Sequence, residues 1–158
     1  MDFRVGYGYD SHRLAAGRVL RLGGVEIPHD RGLVGHSDAD ALIHALIDAL
    51  LGAAALGDIG SHFPDTDEKW RGADSAKLLA MVMDELKLAG WRVNNVDCTV
   101  ICEKPKLRPY IADIRSRLSM LLECDQGAIS VKGKTNEGLD AIGAGQGLAV
   151  HAVASIVR

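Results

Sequence analysis

The sequence predicts an α+β sandwich, a sheet covered on one face by helices. Three observations predict it: strand-type stretches at both ends of the chain, strong helical periodicity between them, and short elements in the order β-β-α-α-β-α-β-β.

Residues 3–13 and 19–27 read as strands, separated by a turn near Ala16-Gly17 and punctuated again by Gly23-Gly24. A loop over 28–36 carries Pro28, Gly32 and Gly35. The strongest helix spans 38–56, where Leu42, Leu46, Leu50 and Ala54 form a stripe that Ile43, Ile47 and Leu51 widen. Ser37 is its expected N-cap, with Asp40 as an acidic first-turn residue. Residues 57–72 are polar, contain Gly and Pro and lack periodicity. They form a long loop, and long ordered loops in compact domains are usually functional. A second helix over 74–89 sets Leu78, Leu79, Val82, Met83 and Leu86 on its apolar side and stops at Gly90. A strand over 91–103 follows, then a rigid turn bracketed by Pro105 and Pro109, then a third helix over 110–124. Strands 128–133 and 147–157 flank a Gly-rich, hairpin-like segment.

A length of 158 residues predicts a single domain over 1–158, and 47% hydrophobic with 25% charged residues is ordinary globular composition. Such a chain buries a core without metal or disulfide staples, so a metal here would serve chemistry rather than folding. The net charge of −3, with no basic stripe, argues against nucleic-acid binding. No stretch nears the roughly 18 apolar residues of a membrane span. Met1-Asp2-Phe3-Arg4 opens into a strand pattern rather than a signal segment, so the expected compartment is the cytoplasm. Cys98, Cys102 and Cys124 contain no C-x-x-C pair; Cys98 and Cys102 are expected on one strand face as small hydrophobes.

The candidate chemistry starts at Asp10 and His12, which point to the same face of the first strand. His44 lies in the strongest helix with Asp40 and Asp48 one turn to either side. A carboxylate and two imidazoles are a common catalytic-zinc set with an open fourth position, and Asp48 is placed to orient the His44 ring. The spacing equally allows one histidine at a strand end and another solvated on a helix. His36-Ser37-Asp38 opens the helix, where free N–H groups favour an anion; an ordinary N-cap explains it as well. Phe63-Pro64-Asp65-Thr66-Asp67 is either an acidic binding loop or a solvated turn. Gly133-Lys134-Thr135 mimics the end of a P-loop, but Ala128 stands where that motif needs Gly, and Ile129-Ser130-Val131 reads as a strand. Gly143-Ala144-Gly145-Gln146-Gly147 lacks the strand–loop–helix context of a dinucleotide fingerprint.

Taken in order, GYGYDSHRL, GGVEIPHDRGLVGHSDADALIHALIDALLGAAALGDIG, FPDTDEKWRGADS, CEKPKLRP and KGKTNEGLD cover essentially the whole chain. Together they resemble the 2-C-methyl-D-erythritol 2,4-cyclodiphosphate synthase family of the non-mevalonate isoprenoid pathway. The H-S-D-x-D-x-x-x-H and L-G-D-I-G-x-x-F-P-D-T-D blocks are its most specific parts. The resemblance implies a ferredoxin-like sandwich assembled as a homotrimer, with active sites between subunits. It implies a lyase that closes a cytidine-diphosphate-linked substrate into a cyclic diphosphate and releases CMP. Asp10, His12 and His44 resemble the family's zinc ligands, and Glu137 the carboxylate for a magnesium or manganese ion between the substrate phosphates. His36 and Thr135 match transition-state-stabilising positions, and His36 and Ser37 would also hold the 2-phosphate. Asp58, Ile59 and Gly60 would meet sugar hydroxyls, and Phe63, Pro64, Asp65, Thr66 and Asp67 would close over the methylerythritol. Cys102, Glu103, Lys104, Pro105, Lys106, Leu107 and Arg108 resemble the cytosine pocket. Gly133, Lys134, Thr135 and Asn136 would finish the diphosphate cradle.

There are departures. Many members carry a Gly-Phe pair after the metal-binding Glu and then an Arg that reaches into the trimer's central channel. Here those positions are Asp140, Ala141 and Ala144, so isoprenoid diphosphate binding in such a channel is expected to be weak or absent. Lys134 also stands where a small hydroxyl residue is common. The competing readings are a metal-dependent phosphohydrolase or nucleotidyltransferase with the same ligands, and a non-enzymatic trimeric binding protein.

Overall fold

In a computed structural model describing Met1–Arg158, the first strand, β1 (Phe3–Ala16), alternates sharply in its first half. Gly6 and Gly8 are buried, while Phe3, Val5, Tyr7 and Tyr9 on the opposite face are exposed. After β1 come β2 (Leu20–Leu22), β3 (Val25–Ile27), β4 (Arg31–Leu33), α1 (Ala41–Ala54), α2 (Ile59–His62) and α3 (Ser75–Leu88). The second half contains β5 (Arg92–Ile101), α4 (Ile111–Leu122), β6 (Ile129–Lys134), α5 (Asp140–Gly143) and β7 (Gly147–Val157). The main sheet runs β4-β1-β7-β5-β6 and is antiparallel except for the parallel β5–β6 pair. This is a mixed α+β fold.

Helix α1 is apolar almost all round, and eleven of its residues are buried. Full burial of each of its Leu and Ile side chains contributes about 1.5–3 kcal/mol. The helix lies against β1 at a distance only small residues permit. A Cβ built on Gly6 would stand 1.9 Å from the Ala49 carbonyl oxygen, and one on Gly8 would stand 1.9 Å from that of Ala45. With Ala45, Ala49 and Ala53 on the helix side, backbone meets backbone, and this brings His44 down beside Asp10 and His12.

Several boundaries differ from the expectations. The N-cap of α1 is Asp40, not Ser37: its carboxylate accepts from Ile43 N at 3.0 Å. Asp40 also accepts from Gly23 N at 2.9 Å and Gly24 N at 2.7 Å, which clamps a separate β2–β3 hairpin onto the helix start. The stretch read as one strand over 19–27 is therefore two, joined where Gly23 and Gly24 take φ of +64° and +76°, as a tight hairpin requires. The 57–72 loop contains α2, which Asp58 caps together with Ser61, and a 3₁₀ turn at Glu68–Trp70. Strands β6 and β7 do not form a hairpin. The α4 crossover places β6 parallel to β5, while β7 inserts between β1 and β5. Cys98 and Cys102 are both buried, as expected. No helix is long and apolar enough to cross a membrane.

Candidate functional site

Strand β1 and helix α1 meet at Asp10, His12 and His44. Asp10 Oδ2 lies 2.8 Å from His12 Nε2 and 3.2 Å from His44 Nδ1. One ligand atom from each of the three residues falls within 4.8 Å of the others. The strand–helix convergence that spacing alone left open is therefore present. His12 Nδ1 lies 2.8 Å from the Val34 carbonyl oxygen, which only accepts. Nδ1 thus donates to that carbonyl, which leaves Nε2 as the nitrogen turned to Asp10. The other nitrogen of His44, Nε2, stands 2.8 Å from Ser75 Oγ and 3.2 Å from Ser37 Oγ.

Burial alone would push the Asp10 carboxyl up, but hydrogen bonds and charge from His12 and His44 outweigh it and hold the carboxyl below its ordinary value. Burial pulls His12 the other way, down, yet its hydrogen bond and ion pair with Asp10 leave it raised. The two groups favour charge in each other, as a carboxylate and a cation do. One carboxylate oxygen and two imidazole nitrogens converging on a point suit a zinc-type divalent ion, so these residues are able to hold a metal. Asp48 does not orient His44: its Oδ1 accepts from Ile59 N at 2.7 Å, anchoring the start of α2.

The trio belongs to a pocket of about 350 Å³ that is also lined by His36, Ser37, Ile59, Gly60, Phe63, Pro64, Asp65, Trp70 and Leu78. His36 and Ser37 reach it from the turn preceding Asp40 rather than from a helix N-terminus. Phe63 and Trp70 stack edge to face at 5.0 Å, giving the wall an apolar patch. Asp58, Thr66 and Asp67 stay outside: Asp58 caps α2 and Asp67 caps the 3₁₀ turn, accepting from Lys69 N at 2.9 Å.

A second pocket, of about 400 Å³, shares no residue with the first. Cys102, Pro105, Lys106, Leu107, Arg108 and Ile111 form one wall; Val131, Lys132, Gly133, Lys134 and Thr135 form the other. Glu103 accepts from Asn136 N at 2.6 Å and so ties the 102–108 loop to the turn after β6. Lys104 lines a neighbouring cleft with Glu103 and Arg31. Glu137 stands exposed on that turn, its Oε1 3.4 Å from Thr135 Oγ1, and is not gathered with the Asp10 trio. The two residues matched to transition-state stabilisation thus sit in different pockets.

Sequence reasoning missed Trp70, Leu78 and Ser75 around the first pocket, and Ile111, Val131 and Lys132 at the second. A lone Trp in a polar loop was a legible signal for Trp70. The others depend on which turns fold together.

A family model described as the YgbB family matches residues 3–157. The chain is 54% identical over 153 residues to the 2-C-methyl-D-erythritol 2,4-cyclodiphosphate synthase of Salinibacter ruber, covering 97% of this chain and 98% of that protein. It is 55% identical over 155 residues to the synthase of Brachyspira hyodysenteriae, with 98% of each chain covered. Among solved structures it superposes on a 2C-methyl-D-erythritol-2,4-cyclodiphosphate synthase in a CDP-bound form with a TM-score of 0.90 and 42% identity, covering 98% of this chain and all of that one. It also superposes on the bifunctional IspDF of Campylobacter jejuni with a TM-score of 0.94 and 39% identity, covering 98% of this chain and 42% of that one.

Proposed function

The chain belongs to the YgbB family, and we propose from that premise that it cyclises 4-diphosphocytidyl-2-C-methyl-D-erythritol 2-phosphate. The products are 2-C-methyl-D-erythritol 2,4-cyclodiphosphate and CMP, in the non-mevalonate route to isoprenoid precursors. An oxygen of the substrate's 2-phosphate bonds to the β-phosphorus; the bond from that phosphorus to the bridging oxygen breaks, and CMP leaves with the oxygen. No water is consumed. The nucleophile is already an anion, so the protein's work is to fold the substrate into line and offset charge. The observation that carries this reading is the convergence of Asp10, His12 and His44 within a pocket that His36, Ser37 and the Phe63 loop also line.

A divalent ion held by Asp10, His12 and His44 would polarise a phosphoryl oxygen and neutralise its charge. His36 and Ser37 would hold the 2-phosphate, and Ile59, Gly60, Phe63, Pro64 and Asp65 the methylerythritol, with Asp58, Thr66 and Asp67 shaping the rim. The 102–108 loop would take the cytosine. Gly133, Lys134, Thr135 and Asn136 would cradle the diphosphate, and Glu137 would serve a magnesium or manganese ion between the phosphates.

These assignments require the two pockets to meet, and we propose that they do so between copies of a cytoplasmic homotrimer of ferredoxin-like sandwiches, each one domain over 1–158. The exposed sheet face bearing Phe3, Val5, Tyr7, Tyr9 and Val153 supports such an assembly, because a monomer rarely leaves that much apolar and aromatic surface bare. The test is product analysis on the purified chain with zinc and magnesium. CMP and the cyclic diphosphate in equal amounts, both abolished by chelation, are expected; a linear product carrying oxygen from water would instead mark a hydrolase.

A further inference from the structure

The face of His44 turned away from Asp10 is held by a chain of groups to which the reaction assigns no task. Ser75, the first residue of α3 and fully buried, presents its hydroxyl oxygen 2.8 Å from His44 Nε2. The same hydroxyl donates to Asp38 Oδ1. Asp38 Oδ2 accepts from Ser75 N at 3.0 Å, and its Oδ1 also accepts from Asp40 N at 3.1 Å. A serine has one hydroxyl proton and a carboxylate can only accept, so that proton is committed to Asp38. What Ser75 turns toward His44 is therefore a lone pair, and Nε2 must supply the proton for that contact. Nδ1 faces Asp10 Oδ2, 3.2 Å away, an oxygen that also only accepts; with a metal in that gap in place of the shared proton, the Nδ1 lone pair is the one that points at it. The opposite tautomer, or a ring rotated by half a turn, would disrupt this arrangement of proton and lone pair. Ser37 Oγ, 3.2 Å from Nε2, is a second oxygen on the same side, and it accepts from Ala39 N at 3.3 Å.

We infer that Ser75 and Asp38 are positioning residues that lock His44 in the Nε2–H tautomer and aim Nδ1 at the shared ligand point. Val34 does the same for His12 with a backbone carbonyl, so the two imidazoles are held by unlike devices. The carbonyl is built into the chain path, whereas the serine–aspartate pair couples the ring to the starts of both α1 and α3. Outer partners of this kind are worth about 10–100-fold in metal affinity. The inference rests on reading Asp10, His12 and His44 as a metal centre, and the experiment separates the two.

Apo protein is titrated with zinc against a chromogenic chelator for the wild type, Ser75→Ala, Asp38→Asn and the double variant. Nitrogen-15 NMR of the zinc-loaded wild type reports which ring nitrogen of His44 carries the proton, a readout that needs no variant to fold. Each single substitution is expected to weaken zinc about 10–100-fold. The double variant should bind within about twofold of the weaker single, because the residues act as one unit. NMR should show Nε2 protonated. Zinc ligation through Nε2, a Ser75→Ala protein that binds zinc like the wild type, or effects that simply multiply would overturn the inference and leave the metal centre standing. A wild type that binds no zinc would overturn both.

Discussion

The pocket containing Asp10, His12 and His44 is lined by two carboxylates and three imidazoles and has no Lys or Arg, whereas Lys106, Arg108, Lys132 and Lys134 line the other, with no acid among them. The first is assembled from close contacts to backbone: Gly8 against α1, the Val34 carbonyl against the His12 ring, and the Asp40 carboxylate against the β2–β3 hairpin. The second rests on strand ends and long exposed side chains. β1 and β6 are separated in the sheet by β7 and β5, a span of about 14 Å at ~4.8 Å per strand. A metal-bound diphosphate needs both characters at once, cation ligands and cationic side chains. One copy of the chain holds them apart, and this contrast is what makes an active site divided between copies the economical reading.

Three substitutions press on that contrast. His44→Ala should cost the most, lowering turnover by more than the roughly 100-fold that loss of an outer partner causes, since it removes a ligand outright. The protein should stay folded, because a half-buried polar ring is removed from a helix with eleven other buried residues. Near-full turnover in steady-state assays would end the metal assignment. Gly133→Leu should act on the other pocket alone. A Cβ there meets Leu107 Cβ at 3.5 Å, so a larger side chain fills the pocket. KM for the cytidine substrate should rise about tenfold, or ~1.4 kcal/mol, with zinc affinity unchanged. If zinc affinity fell equally, the two pockets would not be independent within one chain. Gly8→Ala should give the smallest effect on activity and the clearest one on stability. Its methyl group would collide with the α1 backbone, costing about 1–3 kcal/mol in denaturant unfolding and loosening zinc as His44 lifts away. Unchanged stability would mean that the helix does not rest on the strand as described.

The helices, the long strands and the D-x-H pair were legible because each depends on short-range pattern: an apolar stripe, alternation, two residues on one strand face. That His44 joins the pair was implied only by the family resemblance. What was not legible depends on distant partners. Ser37 and Asp40 are both good capping residues, and the choice of Asp40 is made by Gly23 and Gly24, whose N–H groups arrive from a hairpin far back in the chain. Asp48, one turn from His44, looked like the ring's partner, yet the partner is Ser75, which α3 brings in from 31 residues away. The glycines after β6 suggested a hairpin, but sheet order is decided by the α4 crossover rather than by turn chemistry. What faces the second pocket was not legible from residue pattern; only the family resemblance implies a neighbouring copy there.

The most direct test of the divided site is to co-express His44→Ala and Gly133→Leu chains carrying different tags, purify the mixed oligomers and measure CMP release at low substrate concentration. Every mixed trimer then contains one interface at which an intact metal-bearing pocket meets an intact nucleotide pocket, so sites built between copies should recover about a third of wild-type activity. Mixed oligomers no more active than the two variants measured separately would contradict it, placing the whole site within one chain.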